Sequence, residues 1–102
     1  MKIAAYEMKN NLVNIDGKDM DIFRDKKRFS VFILESFDVE KLKKQLKGAT
    51  SLLVCMQISK KTTLKTCKEI IEDISTSADL DAIIIWGAQV GKENKLLVMA
   101  GW

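Results

Sequence analysis

Three blocks of mostly apolar residues punctuate the chain, each bounded by polar or glycine-containing stretches. Residues 29–35 (Phe29-Ser30-Val31-Phe32-Ile33-Leu34-Glu35), 52–58 (opening Leu52-Leu53-Val54-Cys55-Met56) and 82–89 (opening Ala82-Ile83-Ile84-Ile85-Trp86) carry β-branched and aromatic side chains and predict buried strands. The second is apolar enough to be central in a sheet. Residues 95–102 predict a fourth strand, and Gly91-Lys92-Glu93-Asn94 before it reads as a hairpin turn. Between strands the apolar period changes to that of a helix. Val39, Leu42 and Leu46 line one side of a helix over 38–47, with Asp38 as its cap and Gly48 just past its end. Leu64, Cys67, Ile70, Ile71, Ile74 and Ala78 form the stripe of a longer helix, capped by Thr62 or Thr63 and running to about Ser77; Lys65, Lys68, Glu69, Glu72 and Asp73 then face water. Met20, Ile22 and Phe23 give a partial amphipathic pattern over 17–27, closed by Lys26, Lys27 and Arg28 at the negative end of the helix dipole. Ile3, Ala4, Tyr6 and Met8 suit either a short helix or a strand, ended by Asn10-Asn11.

Two amphipathic helices, each with one apolar stripe, must cover one face of a four-stranded sheet. The expected fold class is therefore α+β, a two-layer sandwich. Periodicity does not give the strand order. A chain of 102 residues is one domain, large enough for a real core without disulfides. No apolar run approaches the roughly 20 residues of a membrane helix, and no signal-peptide segment opens the chain, so a cytoplasmic protein is expected. The formal charge of +3 is mild. Its clusters, Lys26-Lys27-Arg28 and Lys41-Lys43-Lys44-Lys47, lack interleaved aromatics and read as solvated faces, so no nucleic-acid partner is expected. With no histidine and no paired cysteines, neither a zinc site nor Cys–His chemistry is expected; Cys55 and Cys67 read as buried structural thiols. Trp86 reads as core packing rather than ligand stacking, and Met56 and Met99 as gap-fillers. Trp102 fits an exposed contact or an edge plug equally well.

The stretch with candidate chemistry is Asn11-Leu12-Val13-Asn14-Ile15-Asp16-Gly17-Lys18-Asp19-Met20-Asp21. Local chemistry alone makes it a helix start: Asp16 suits the cap, and Asp19 would lie in the first turn, where negative charge meets the positive end of the dipole. The spacing Asn14-x-Asp16-x-x-Asp19 resembles the N-x-D-x-x-D synergy loop of the FtsZ and tubulin family. The resemblance continues in order along the chain. Gly48-Ala49-Thr50-Ser51-Leu52-Leu53-Val54 is similar to that family's G-A-x-x-x-L-V strand. Thr63-Leu64 resembles its D-L-T-L helix start. Ala78-Asp79-Leu80-Asp81-Ala82-Ile83-Ile84-Ile85-Trp86-Gly87-Ala88 resembles A-D-P-D-A-x-I-I-W-G-A, and residues 96–102 resemble V-x-V-x-x-I-A-T-G-F.

The resemblance implies a C-terminal FtsZ/tubulin-type domain with a mixed sheet. Residues 1–27 would hold the end of the family's central helix, the loop and the following helix, and 28–102 the sandwich. It implies that the loop acts in trans, entering the nucleotide pocket of a neighbouring subunit. There Asp16 and Asp19 would organise the water that attacks GTP, Asn14 would hold loop or nucleotide contacts, and Gly17 and Lys18 would touch the partner. A glycine-rich phosphate loop is missing and the five glycines are isolated, so this chain alone is expected neither to bind nor to hydrolyse GTP; the cofactor belongs to the partner subunit. The chain also stops where the family continues into a linker and membrane-tethering tail, so no direct membrane attachment is expected. Gly17 in place of a bulky residue, residues 57–61 in place of a G-G-x-D turn, and a shortened 91–95 connection mark a divergent or archaeal-like member. Three roles remain open: a stand-alone domain that docks on an FtsZ-like GTPase subunit and modulates or caps filaments, the separately encoded half of a split or truncated GTPase, and an inert self-assembly domain.

Overall fold

Along the central strand Leu52, Val54, Met56 and Ile58 alternate with Leu53, Cys55 and Gln57, and this alternation decides which face of the sheet the helices cover. The computed structural model describes residues 2–5 and 19–102, the backbone alone for 2–5 and 19–20. The elements are β1 (Lys2–Ala5), a 3₁₀ helix (Asp19–Phe23), β2 (Phe29–Leu34), α1 (Glu40–Gln45), β3 (Ser51–Ile58), α2 (Leu64–Ser75), β4 (Ile83–Val90) and β5 (Lys95–Gly101). The strands form one sheet in the order β1-β4-β3-β5-β2. β3 is parallel to β4 and antiparallel to β5; β2 is antiparallel to β5. The expected four-stranded mixed sheet backed by two helices is present, made of β2, β5, β3 and β4.

Register explains the core. Val54 lies level with Trp86 on one side and Val98 on the other, and Leu52 with Ile84 and Ala100. These residues belong to one buried cluster with Leu42 and Leu46 beside α1, and with Cys67, Ile71 and Ile74 of α2. Leu53 and Ile85 are also buried but project to the opposite face. The helices hold each other through Lys43, whose ammonium donates to Asp73 Oδ1 at 2.7 Å. That hydrogen bond holds the Lys43 pKa above the usual lysine range. Asp73 is thus half-buried rather than fully solvated, and Leu64 at the head of the stripe is exposed.

Several expectations are corrected. Residues 29–35, expected as a buried strand, give β2 at the edge of the sheet, where Phe29, Val31 and Ile33 are exposed. Residues 2–5 form a strand, not the helix end that the resemblance implied: Ile3 pairs in parallel with Ile84, a partner about eighty residues away that decides between the two local readings. The helix expected over 17–27 is a five-residue 3₁₀ helix, followed by Arg24 N–H donating to the Asp21 carbonyl and Lys26 N–H to that of Phe23. α1 begins at Glu40 rather than Asp38, whose carboxylate accepts only a long 3.4 Å bond from the Glu40 N–H. Thr63 is the α2 cap, accepting from the Thr66 N–H. Thr62 instead donates to Asn94 Oδ1, which also accepts from the Ser59 N–H. The residues before β5 do not make a hairpin, because β3 separates β4 from β5; they cross the end of β3, where Gln57 Nε2 donates to the Glu93 carbonyl and Gly91 N–H to that of Ile58.

Gly48 ends the α1 region at φ 75°, with its N–H donating to the Ser77 carbonyl. A Cβ there would meet nothing within 4 Å. Gly48→Ala therefore isolates the backbone penalty, and urea unfolding should show a loss of about 1–2 kcal/mol with an unchanged slope.

Candidate partner-docking site

The loop that the sequence singles out enters the described structure at Asp19, the first residue of the 3₁₀ helix. Asn14, Asp16, Gly17 and Lys18 lie outside the described residues, and of Asp19 only the backbone is described. The structure shows how the base of the loop is held. Ser51, buried at the start of β3, donates its hydroxyl to the Ile22 carbonyl at 2.8 Å. Phe23 meets Phe29 edge to face, with centroids 5.0 Å apart. Both Phe23 and Lys26 press on Gly101: a Cβ there would stand 2.9 Å from Phe23 Cδ1 and 2.7 Å from Lys26 Cγ. Arg24 pairs with Asp21 at 2.8 Å, both exposed, a contact of small net worth.

Trp102 is the clamp. Its backbone N–H donates to the Arg28 carbonyl and its carbonyl accepts from the Lys27 N–H. The indole N–H donates to the Lys47 carbonyl at 2.9 Å, and the Arg28 guanidinium lies 4.0 Å from the ring centroid. The side chain packs on the core, so of its two readings the edge plug is the observed one. Ser51, Arg28 and Trp102 thus tie the 3₁₀ helix and the residues after it to the sheet. No motif marks Ser51 or Arg28 in the sequence; a terminal tryptophan was the single available signal.

The other candidates are structural. Trp86 and Met56 are buried in the core. Cys55 and Cys67 are free; Cys67 is buried as expected and Cys55 only partly so, and burial pushes both thiol pKa values up, away from nucleophilic chemistry. Among the described residues no three His, Cys, Asp or Glu side chains gather as a metal site would require, and no helix is long and apolar enough to cross a membrane.

The sheet order and the paired helices on one face define a recognisable frame. Residues 24–100 match the model of the FtsZ family, C-terminal domain. The chain belongs to the FtsZ family. No curated protein sequence matches it. Among solved structures, an empty FtsZ dimer from M. jannaschii superposes with a TM-score of 0.69 at 24% identity, covering 92% of this chain and 33% of that one. A point mutant of FtsZ from M. jannaschii gives 0.61 at 21% identity, covering 92% and 34%. CetZ from Methanosaeta thermophila strain DSM 6194 gives 0.50 at 13% identity, covering 72% and 24%. These likenesses establish the fold. The chain spans about a third of the length of the FtsZ structures it matches, and the matched region is the FtsZ C-terminal domain, which holds no GTP-binding site of its own.

Proposed function

We propose that this FtsZ-type C-terminal domain docks through the loop bearing Asn14, Asp16 and Asp19 on the nucleotide face of an FtsZ-like GTPase subunit and so modulates filament assembly in cell division. The observation that carries this reading is the intact N-x-D-x-x-D spacing immediately before a segment tied down by Ser51, Phe29 and Trp102. A loop with a fixed base loses less conformational entropy on docking than a free one. Gly17 and Lys18, between the acids, would lie against the partner. The 102 residues hold no phosphate-cradling glycine loop, so a docked copy acting alone offers no nucleotide face to the next subunit and terminates the filament. GTP stays with the partner. In sedimentation of polymerising FtsZ, added chain should lower pelleted polymer and shorten filaments in proportion to its amount; unchanged mass and length would defeat the capping role.

A second reading is favoured by the roughly threefold greater length of the FtsZ structures the chain matches. In it the domain completes a GTPase whose nucleotide-binding half lies on a separate polypeptide or elsewhere in a longer protein. Asp16 and Asp19 would then orient the attacking water by position and charge, which is most of what phosphoryl transfer requires of a protein.

A further inference from the structure

Among the described residues β2 forms an unpaired edge of the sheet, and it is unlike a protected edge. Its six residues, Phe29-Ser30-Val31-Phe32-Ile33-Leu34, include no charge and no proline, and five are apolar. Natural sheets blunt such edges with lysines, prolines, bulges or a covering element. Here Phe29, Val31 and Ile33 are 46%, 48% and 75% exposed. The backbone is presented in phase with them. Arg28 directs its carbonyl inward to the Trp102 N–H, so alternation along the strand turns Ser30, Phe32 and Leu34 toward β5. The N–H and C=O groups of Phe29, Val31 and Ile33 are left on the open edge. The same three residues therefore offer both the outward hydrogen bonds and the exposed side chains.

We propose that β2 pairs antiparallel with β2 of a second copy of this chain, about a two-fold axis through Val31, joining the two sheets edge to edge. The occupant follows from the sequence around the strand. Residues opposite each other in a sheet share a face, so a two-fold axis normal to the sheet must pass beside a residue and not between two. Centred on Val31, the register places Val31 against Val31 and Phe29 against Ile33, and all three are hydrogen-bonded positions. Just beyond the paired strands, exposed Lys27 of each copy comes to the same end of the seam as exposed Glu35 of the other. Centring on Phe32 would instead oppose Phe29 to Glu35, an apolar ring against a charge. Basic residues 26–28 precede the strand, while Glu35 and Asp38 follow it, so the antiparallel arrangement is complementary in charge at both ends. A six-residue edge buries less than a standard interface, so the dimer is weak, with dissociation in roughly the 10 μM to 1 mM range.

Sedimentation equilibrium over that range tests the proposal. The mass of the chain should rise from 11.6 kDa toward twice that value with concentration. Val31→Lys, an exposed change that sets two like charges on the axis, should hold the monomer mass throughout while leaving the far-UV spectrum and thermal midpoint unchanged. Glu35→Lys should weaken association at least several-fold, and adding Lys27→Glu to it should restore the dimer. A wild-type chain that stays at 11.6 kDa at the highest concentration overturns the proposal. So does a dimer that Val31→Lys leaves intact. Both outcomes are independent of loop docking, since neither residue belongs to the 11–21 stretch.

Discussion

Truncating Trp86 to alanine lowers folding stability by about 3–5 kcal/mol, the range for emptying a buried aromatic site. Trp86 is 6% exposed, sits level with Val54 in β4 and shares one core with Ile71 and Ile74 of α2. Removing the indole takes away the surface on which the long helix rests, and neighbours fixed in the β3 and β5 registers cannot collapse into the gap. For a domain of this size the loss corresponds to roughly 15–30 °C in thermal midpoint. Leu80→Ala serves as the comparison: Leu80 is 85% exposed, and its change should fall within about 0.5 kcal/mol of wild type. Calorimetry of both variants decides the matter; equal midpoints would mean that Trp86 does not anchor the core.

The largest functional effect is expected at Asp16. If the acids organise the attacking water in a partner's site, mixing the chain with an FtsZ-type nucleotide-binding half should raise GTP turnover, and Asp16→Ala should reduce that stimulated rate by about 100-fold or more. Asp19→Ala should act similarly. Asp21→Ala serves as the neighbour control: its carboxylate is exposed and paired with Arg24, and its loss should leave the rate near wild type. Stimulation by the Asp16 variant equal to that by the Asp21 variant would reduce the acids to helix-terminus residues.

The parts of the fold legible in the sequence are those whose cause is local or periodic. The runs that became β3 and β4 are apolar because Leu53 and Ile85 are buried on one face of the sheet as Leu52, Val54, Ile84 and Trp86 are on the other, and the α2 stripe is read at once from Cys67, Ile71 and Ile74. What escaped depends on partners distant in sequence. Residues 2–5 suit a helix or a strand locally, and the edge that β4 offers decides for the strand. The 91–94 stretch has the composition of a hairpin turn, yet Asn94 is claimed by Ser59 and Thr62 and the chain steps over β3. The insertion of β5 between β2 and β3 leaves no periodic trace. The candidate loop is read from its family spacing alone, and Asn14, Asp16, Gly17 and Lys18 lie outside the described residues. The residues that hold the 3₁₀ helix after it were not legible, because the hydroxyl of Ser51 and the guanidinium of Arg28 acquire their roles from Ile22 and Trp102, which the fold alone brings to them.

We propose the acidic loop as the surface this domain offers to a GTPase subunit. Titrating the ¹⁵N-labelled chain with FtsZ held in a GTP-analogue state tests it most directly, residue by residue. Amides of residues 11–21 should broaden first and furthest, and Asp16→Ala should remove the effect. Perturbations that spare those residues, or none at all at saturating partner, would contradict it.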